Sequence, residues 1–131
     1  DLAYIQNHYI NLDHDQTVTA SGGVAYTWKH PDGGKTSIFL DALFGSGLRK
    51  DEDLPDGSTI PNGAKVPTYW TPNVGAEHEF RIGNGPLLKL RLDVVNLLDR
   101  SYQLRDGSGV GVNASQYGMR FGVFGSLSCS M

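Results

Sequence analysis

Hydrophobic and polar residues alternate along this chain in five runs. The sharpest starts at Leu87: Leu88, Leu90, Leu92 and Val94 are apolar, while Lys89, Arg91 and Asp93 between them are charged. Successive side chains of a strand point to opposite faces, so this run predicts a strand near 87–97 with one aliphatic and one ionic face. The first run, near 16–28, sets Val18, Ala20, Gly22, Val24, Tyr26 and Trp28 against Thr17, Thr19, Ser21, Gly23, Ala25 and Thr27. Near 35–45, Ile38, Leu40, Ala42 and Phe44 oppose Ser37 and Asp41, with Phe39 and Leu43 weakening the sidedness. Near 69–82, Trp70, Val74, Ala76, Phe80 and Ile82 oppose Asn73, Glu77, Glu79 and Arg81; His78 is an exception, and Pro72 predicts that the strand proper starts after it. The last run, near 117–131, places Tyr117, Met119, Phe121, Val123, Leu127, Cys129 and Met131 opposite Gly118, Arg120, Gly122, Ser126, Ser128 and Ser130, and only Phe124 breaks it.

The connections alternate as well. "KHPDGG" and "GNGP" are short enough for tight hairpins, whereas residues 47–66 and 99–116 are long polar stretches, and residues 1–15 read as a loop leading into the first strand. The expected fold is all-β, an antiparallel up-and-down meander of about five strands. Long and short connections in turn, with strands of roughly nine to eleven tilted residues, are the pattern of a transmembrane β-barrel. Tyr26 and Trp28 would lie at one end of such strands and Tyr69, Trp70 and Tyr117 at the other, where interfacial aromatic girdles sit.

Composition narrows the picture. Among 131 residues are 17 glycines and repeated Asp-Gly and Asn-Gly turns, set among β-branched and aromatic residues. The net charge is −3 with both signs interspersed, so no basic stripe is present to hold nucleic acid. The single cysteine, Cys129, rules out an internal disulfide framework and a cysteine-rich zinc site. No apolar run is long enough for a transmembrane helix, a rule that does not touch barrels, whose membrane signal is hidden by alternation. A start at Asp1 without an initiator methionine fits a processed product or part of a longer chain.

"VVNLLDRSY" (Val94 to Tyr102), followed after a glycine-rich stretch by "QYGMRFGVFGSLSCSM", resembles the closing two strands of TonB-dependent outer-membrane receptors. There an Asn-apolar-apolar-Asp-x-x-Tyr stretch ends the penultimate strand. "LDHDQTVTASGGVAYTW", "FGSGLRKD" and "PNGAKVPTYWTPNVGAEHEF" resemble preceding strand and loop segments of the same receptors. The resemblance implies the carboxyl end of a barrel of about two dozen strands, in the bacterial outer membrane. The partners it implies are outer-membrane lipid, the remaining strands and plug of a parent chain, TonB through an N-terminal part, and a transported solute. Met131 stands where that family usually ends in an aromatic residue.

Candidate chemistry is sparse. His8, Asp13, His14 and Asp15 gather near the start, but their spacing fits no standard metal site, and no metal or cofactor is expected. Gly109 to Ala114, "GVGVNA", satisfies a dinucleotide fingerprint, yet an alternating strand follows where a helix should. Asn113-Ala114-Ser115 is a glycosylation sequon, which has meaning only in a eukaryotic secretory protein. Glu77 and Glu79 share a face about 7 Å apart by strand rise, near the separation of a retaining glycosidase pair. Cross-strand neutralisation by Arg81, Lys89, Arg91 and Arg120 is the simpler reading of that pair, so no catalytic residue is assigned. Cys129, on an apolar face, is expected to be inert.

The sequence therefore reads as barrel wall. Glu77, Glu79, Arg81, Lys89, Arg91, Asp93 and Arg120 are the expected lumen-facing residues, and loops 47–66 and 99–116 the expected solute gate. A soluble β-sandwich binding module is the alternative, with the same apolar faces packed on each other. A small outer-membrane enzyme built on Glu77 and Glu79 is a third reading.

Overall fold

A computed structural model describes residues 2–108 and 114–130. Residues 109–113, which hold all but Ala114 of the dinucleotide-like stretch and the asparagine of the sequon, and Met131, whose register was expected, lie outside the described residues. The elements are α1 (Leu2–Asn7), β1 (Thr19–Lys29), β2 (Lys35–Gly45), β3 (Arg49–Asp53), β4 (Thr59–Lys65), β5 (Tyr69–Arg81), β6 (Leu87–Val95), β7 (Gln103–Arg105), β8 (Gln116–Tyr117) and β9 (Gly122–Ser130). The described residues are all-β apart from one short helix. Five strands form one sheet in the order β1-β2-β5-β6-β9, while β3 pairs with β4 and β7 with β8.

Alternation carries the large sheet. β5 and β6 pair antiparallel from Val74↔Val94 to Arg81↔Leu87, and β6 and β9 from Leu87↔Ser130 to Val95↔Gly122. These registers put Leu88, Leu90, Leu92 and Val94 beside Phe80, His78, Ala76 and Val74 on one side, and beside Cys129, Leu127, Gly125 and Val123 on the other. A slip of one residue would reverse every side chain.

Two hairpins share one turn chemistry. In the β1–β2 turn, the Gly33 N–H donates to the His30 carbonyl (3.1 Å), Gly33 adopts φ 83°, and the Asp32 carboxylate accepts the Gly34 N–H (3.0 Å). In the β3–β4 turn, the Gly57 N–H donates to the Leu54 carbonyl (3.0 Å), Gly57 adopts φ 84°, and Asp56 accepts the Ser58 N–H (2.9 Å). Proline presets the first turn dihedral, aspartate closes a local bond, and glycine takes the left-handed position.

Several sequence expectations are corrected. Residues 47–66, expected to be a loop, contain the β3–β4 hairpin, and residues 99–116, also expected as loop, supply β7 and the start of β8. A short helix, α1, lies in the segment expected to be a leading loop. The last strand begins at Gly122 rather than near 117, because Gln116 and Tyr117 pair with β7 instead. The 87–97 strand stops at Val95, since Asn96 takes φ 50° and leaves the extended conformation. β5 starts before Pro72, not after it: the β6 ladder reaches only to Val74, and beyond it the Pro72 carbonyl accepts the Leu97 N–H (2.8 Å).

The chain divides into two compact units, Asp1–Ala20 with Phe44–Trp70 and Ser101–Gly118, and Ser21–Leu43 with Thr71–Arg100 and Met119–Met131. The first contains Val66, the one hydrophobic side chain buried among the described residues at 2% exposure. The second contains most of the five-stranded sheet.

Candidate functional site

The charged face of the sheet is a chain of ion pairs. Register places Glu77 opposite Arg91 and Glu79 opposite Lys89. The Lys89 Nζ lies 3.2 Å from Glu77 and 3.0 Å from Glu79, bridging two carboxylates of the neighbouring strand. Arg91 reaches Glu77 at 3.7 Å and donates two hydrogen bonds to Asp93 (2.7 and 2.8 Å), a fork that fits the carboxylate plane. Its guanidinium also lies 4.6 Å over the Phe39 ring. Lys35 on β2 extends the chain to Glu79 at 3.8 Å.

Five of the seven expected residues thus come together: Glu77, Glu79, Lys89, Arg91 and Asp93. Arg81 shares their face by alternation, but its Nη1 donates to the Gly85 carbonyl of its own hairpin (3.2 Å). Arg120 is corrected: it precedes β9 rather than lying in it, and it pairs with Asp99 instead of the ladder. Sequence reasoning missed Lys35 and Phe39, because sidedness on β2 is blurred by its extra apolar residues. Phe124, the break in the last run, stands opposite Asp93 on the ionic face. With Asp41, Asn73 and Asp93 it lines an open hollow of about 430 Å³, where Asn73 donates to Asp41 (2.7 Å). Both Glu77 and Glu79 have cations as partners, the arrangement of a neutralised wall; a glycosidase acid must instead hold its proton.

The opposite face is oily and bare. Val24, Tyr26, Trp28, Ile38, Leu40, Leu90, Leu92, Val123 and Leu127 are all exposed, Val24 to 71% and Leu127 to 68%. The whole chain exposes 9001 Å². A compact monomer of its mass, 14.2 kDa, would expose about 6,800 Å². Tyr26 and Trp28 meet edge to face with ring centres 4.6 Å apart.

Between β6 and β9 the Asn-Leu-Leu-Asp stretch ties a polar knot. Asn96 is 1% exposed; its amide donates to the Arg100 and Met119 carbonyls (2.8 and 3.0 Å), and its Oδ1 accepts the Arg100 N–H (3.0 Å). Its own N–H donates to Asn73 Oδ1 (2.9 Å). Asp99, at φ 47°, accepts two bonds from Arg120 (2.7 and 2.6 Å) and one from the Phe121 N–H (3.0 Å). Hydrogen bonding from Arg120, then from the Phe121 N–H, lowers the Asp99 pKa to about 2.

In the other unit, Tyr69 and Tyr102 stack with ring centres 4.6 Å apart, and the Tyr102 ring occupies the space a Cβ at Gly118 would need. Tyr69, expected in an aromatic girdle, is therefore a partner of Tyr102. The cluster near the start is spoken for: His8 bonds the Tyr4 carbonyl, His14 contacts Asp13, and Asp15 pairs with Arg49 (3.3 Å). Among the described residues no three His, Cys, Asp or Glu side chains form a metal-binding group. Asn62, at φ 56°, is anchored between the Asp51 carboxylate (3.0 Å) and the Asn11 carbonyl (2.8 Å). No helix among the described residues is long and apolar enough to cross a membrane, which says nothing of strands.

No family model, curated protein or solved structure matches this chain.

Proposed function

We propose that this chain is wall and loop of a transmembrane β-barrel, of the kind found in TonB-dependent outer-membrane receptors, serving import of a large scarce solute such as a metal chelate, cobalamin or oligosaccharide. One observation carries the membrane reading: an antiparallel sheet with one uncovered, largely apolar face and one ion-paired face. Each large aliphatic or aromatic side chain moved from water to an apolar medium contributes roughly 1.5–3 kcal/mol, and lipid supplies that medium where the chain supplies no second layer. The ionic face would then line a hydrated lumen, and the β3–β4 and β7–β8 hairpins would meet solute or plug.

The sheet edges support the same reading. β1 and β9 stand at its two ends; among the described residues β9 carries no charged side chain and β1 only Lys29. Soluble proteins protect such edges with charge, proline or bulges, and barrels remove them by pairing with further strands. The receptor identity rests on the Asn96, Asp99 and Tyr102 motif and its neighbouring segments.

Extraction behaviour tests the proposal. Expressed in bacteria, the protein should remain with the outer-membrane fraction or require detergent, and its parent should run as a heat-modifiable band. A monodisperse, detergent-free monomer with the apolar face buried would refute it and favour the β-sandwich.

A further inference from the structure

At the turn end of the apolar face three polar side chains interrupt the oily surface. His30 opens the β1–β2 turn, Thr36 lies on β2 and His78 on β5. The Thr36 hydroxyl meets His30 Nε2 at 2.8 Å and His78 Nδ1 at 2.9 Å, so both rings converge on one oxygen. The rings stand 5.7 Å apart at 69°, and His78 is held flat against Phe80. Beside them an open depression of about 350 Å³ is lined by Thr36, Ala76, His78, Leu90 and Leu92, with Glu77 and Arg91, whose side chains join the ladder. Ala76 makes the hollow, being the small residue between longer neighbours.

We infer that this corner binds a phosphodiester-headed lipid, the headgroup phosphate at the His30–Thr36–His78 cluster and an acyl chain along Ala76, Leu90 and Leu92. The inference rests on the barrel reading, which places this face against lipid. Donor counting supports the headgroup. One hydroxyl hydrogen serves one ring; the other ring donates to the Thr36 oxygen. That leaves His30 Nδ1 and His78 Nε2 without a partner among the described residues, one a donor and the other an acceptor while both rings are neutral. A phosphodiester accepts only, so it takes the outward N–H that this pair presents.

Nearby charges leave this chemistry to the histidines. Lys35, Glu77, Glu79, Lys89 and Arg91 project to the other face and pair there. At the turn, Lys29 alternates to that same other face, and the Asp32 carboxylate accepts the Gly34 N–H. Tyr26 and Trp28 on the adjoining strand are the side chains expected at headgroup depth.

The test uses the protein in dodecylmaltoside, a detergent without phosphate, and follows the imidazole nitrogen resonances of His30 and His78. Phosphatidylglycerol, diacylglycerol of the same chains and inorganic phosphate are each titrated at one pH. Phosphatidylglycerol should shift the nitrogen resonances of both rings. Diacylglycerol and inorganic phosphate should each bind at least about tenfold more weakly, since each lacks one half of the recognition. His30→Gln with His78→Gln, and separately the near-isosteric Thr36→Val, should both weaken phosphatidylglycerol by a similar factor. Equal binding of diacylglycerol removes the phosphate role; equal binding of inorganic phosphate removes the acyl groove; unchanged affinity in both variants places the site elsewhere, and each result overturns the inference. A protein that stays in water and ignores micelles refutes the barrel reading itself. A protein that enters micelles yet does not distinguish the two lipids refutes only this site.

Discussion

Leu127 and Ser128 are neighbours on β9, both exposed, and they face opposite ways: Leu127 lies opposite Leu90, and Ser128 opposite Lys89. If the uncovered face meets water, arginine at either position costs little, because exposed substitutions away from special features stay within about 0.5 kcal/mol. If it meets lipid, Leu127→Arg moves a guanidinium into hydrocarbon at a cost of roughly 2–4 kcal/mol near the midplane. Ser128→Arg would instead enter the hydrated side, within reach of the Glu77–Lys89–Glu79 cluster, and should remain within about 1 kcal/mol. The two variants then differ by about 1–4 kcal/mol, roughly 5- to 850-fold in folding equilibrium. Reversible urea titration in phospholipid vesicles, with the further strands that the proposed barrel requires supplied, measures both. Equal penalties, large or small, would refute the assigned sidedness.

Asn96→Ala should destabilise the protein by roughly 2–4 kcal/mol in detergent denaturation, because three side-chain hydrogen bonds at a nearly buried position are lost and carbonyls are left bare. Asp99 is held at a pKa of about 2 against an ordinary value of 3.8. Its contribution is therefore complete above about pH 4 and is lost as pH falls through about 2; the Phe121 amide resonance should titrate in that window, and Asp99→Asn should abolish the titration. Gly57→Ala places a Cβ at φ 84° and should weaken the β3–β4 hairpin by about 1 kcal/mol, read as faster amide exchange confined to that hairpin.

Period-two alternation made the large sheet legible, since a strand whose faces differ in polarity announces both its extent and its sidedness. Strand partners were harder. That Lys89 bridges Glu77 and Glu79 follows from register, and the β5–β6 register is fixed by the turn between Arg81 and Leu87, whose geometry the alternation does not reveal. The β3–β4 hairpin was readable but overlooked: "LPDG" at 54–57 repeats the turn chemistry of "HPDG" at 30–33, yet its flanks, "RKDED" and "TIPNGAK", lack the apolar alternation that marks a strand with an oily face. The partners of Arg120 and Tyr69 were illegible for a common reason. Parity assigns a face but not a partner, and the partners, Asp99 and Tyr102, come from connections that have no period.

The chain of ion pairs has an electrical consequence. Lys35, Lys89 and Arg91 stand against Glu77, Glu79 and Asp93, three cations and three anions in alternating contact. Seen from a few ångströms away such an arrangement has no monopole, and its field decays far faster than that of a single charge. A solute passing this stretch of wall would meet neither attraction nor repulsion by sign, so anionic and cationic cargo would traverse it alike. On the proposed barrel reading, discrimination by charge would be exercised elsewhere, where polar groups are unbalanced, and this stretch would serve as a wet, non-adhesive surface beside an oily one.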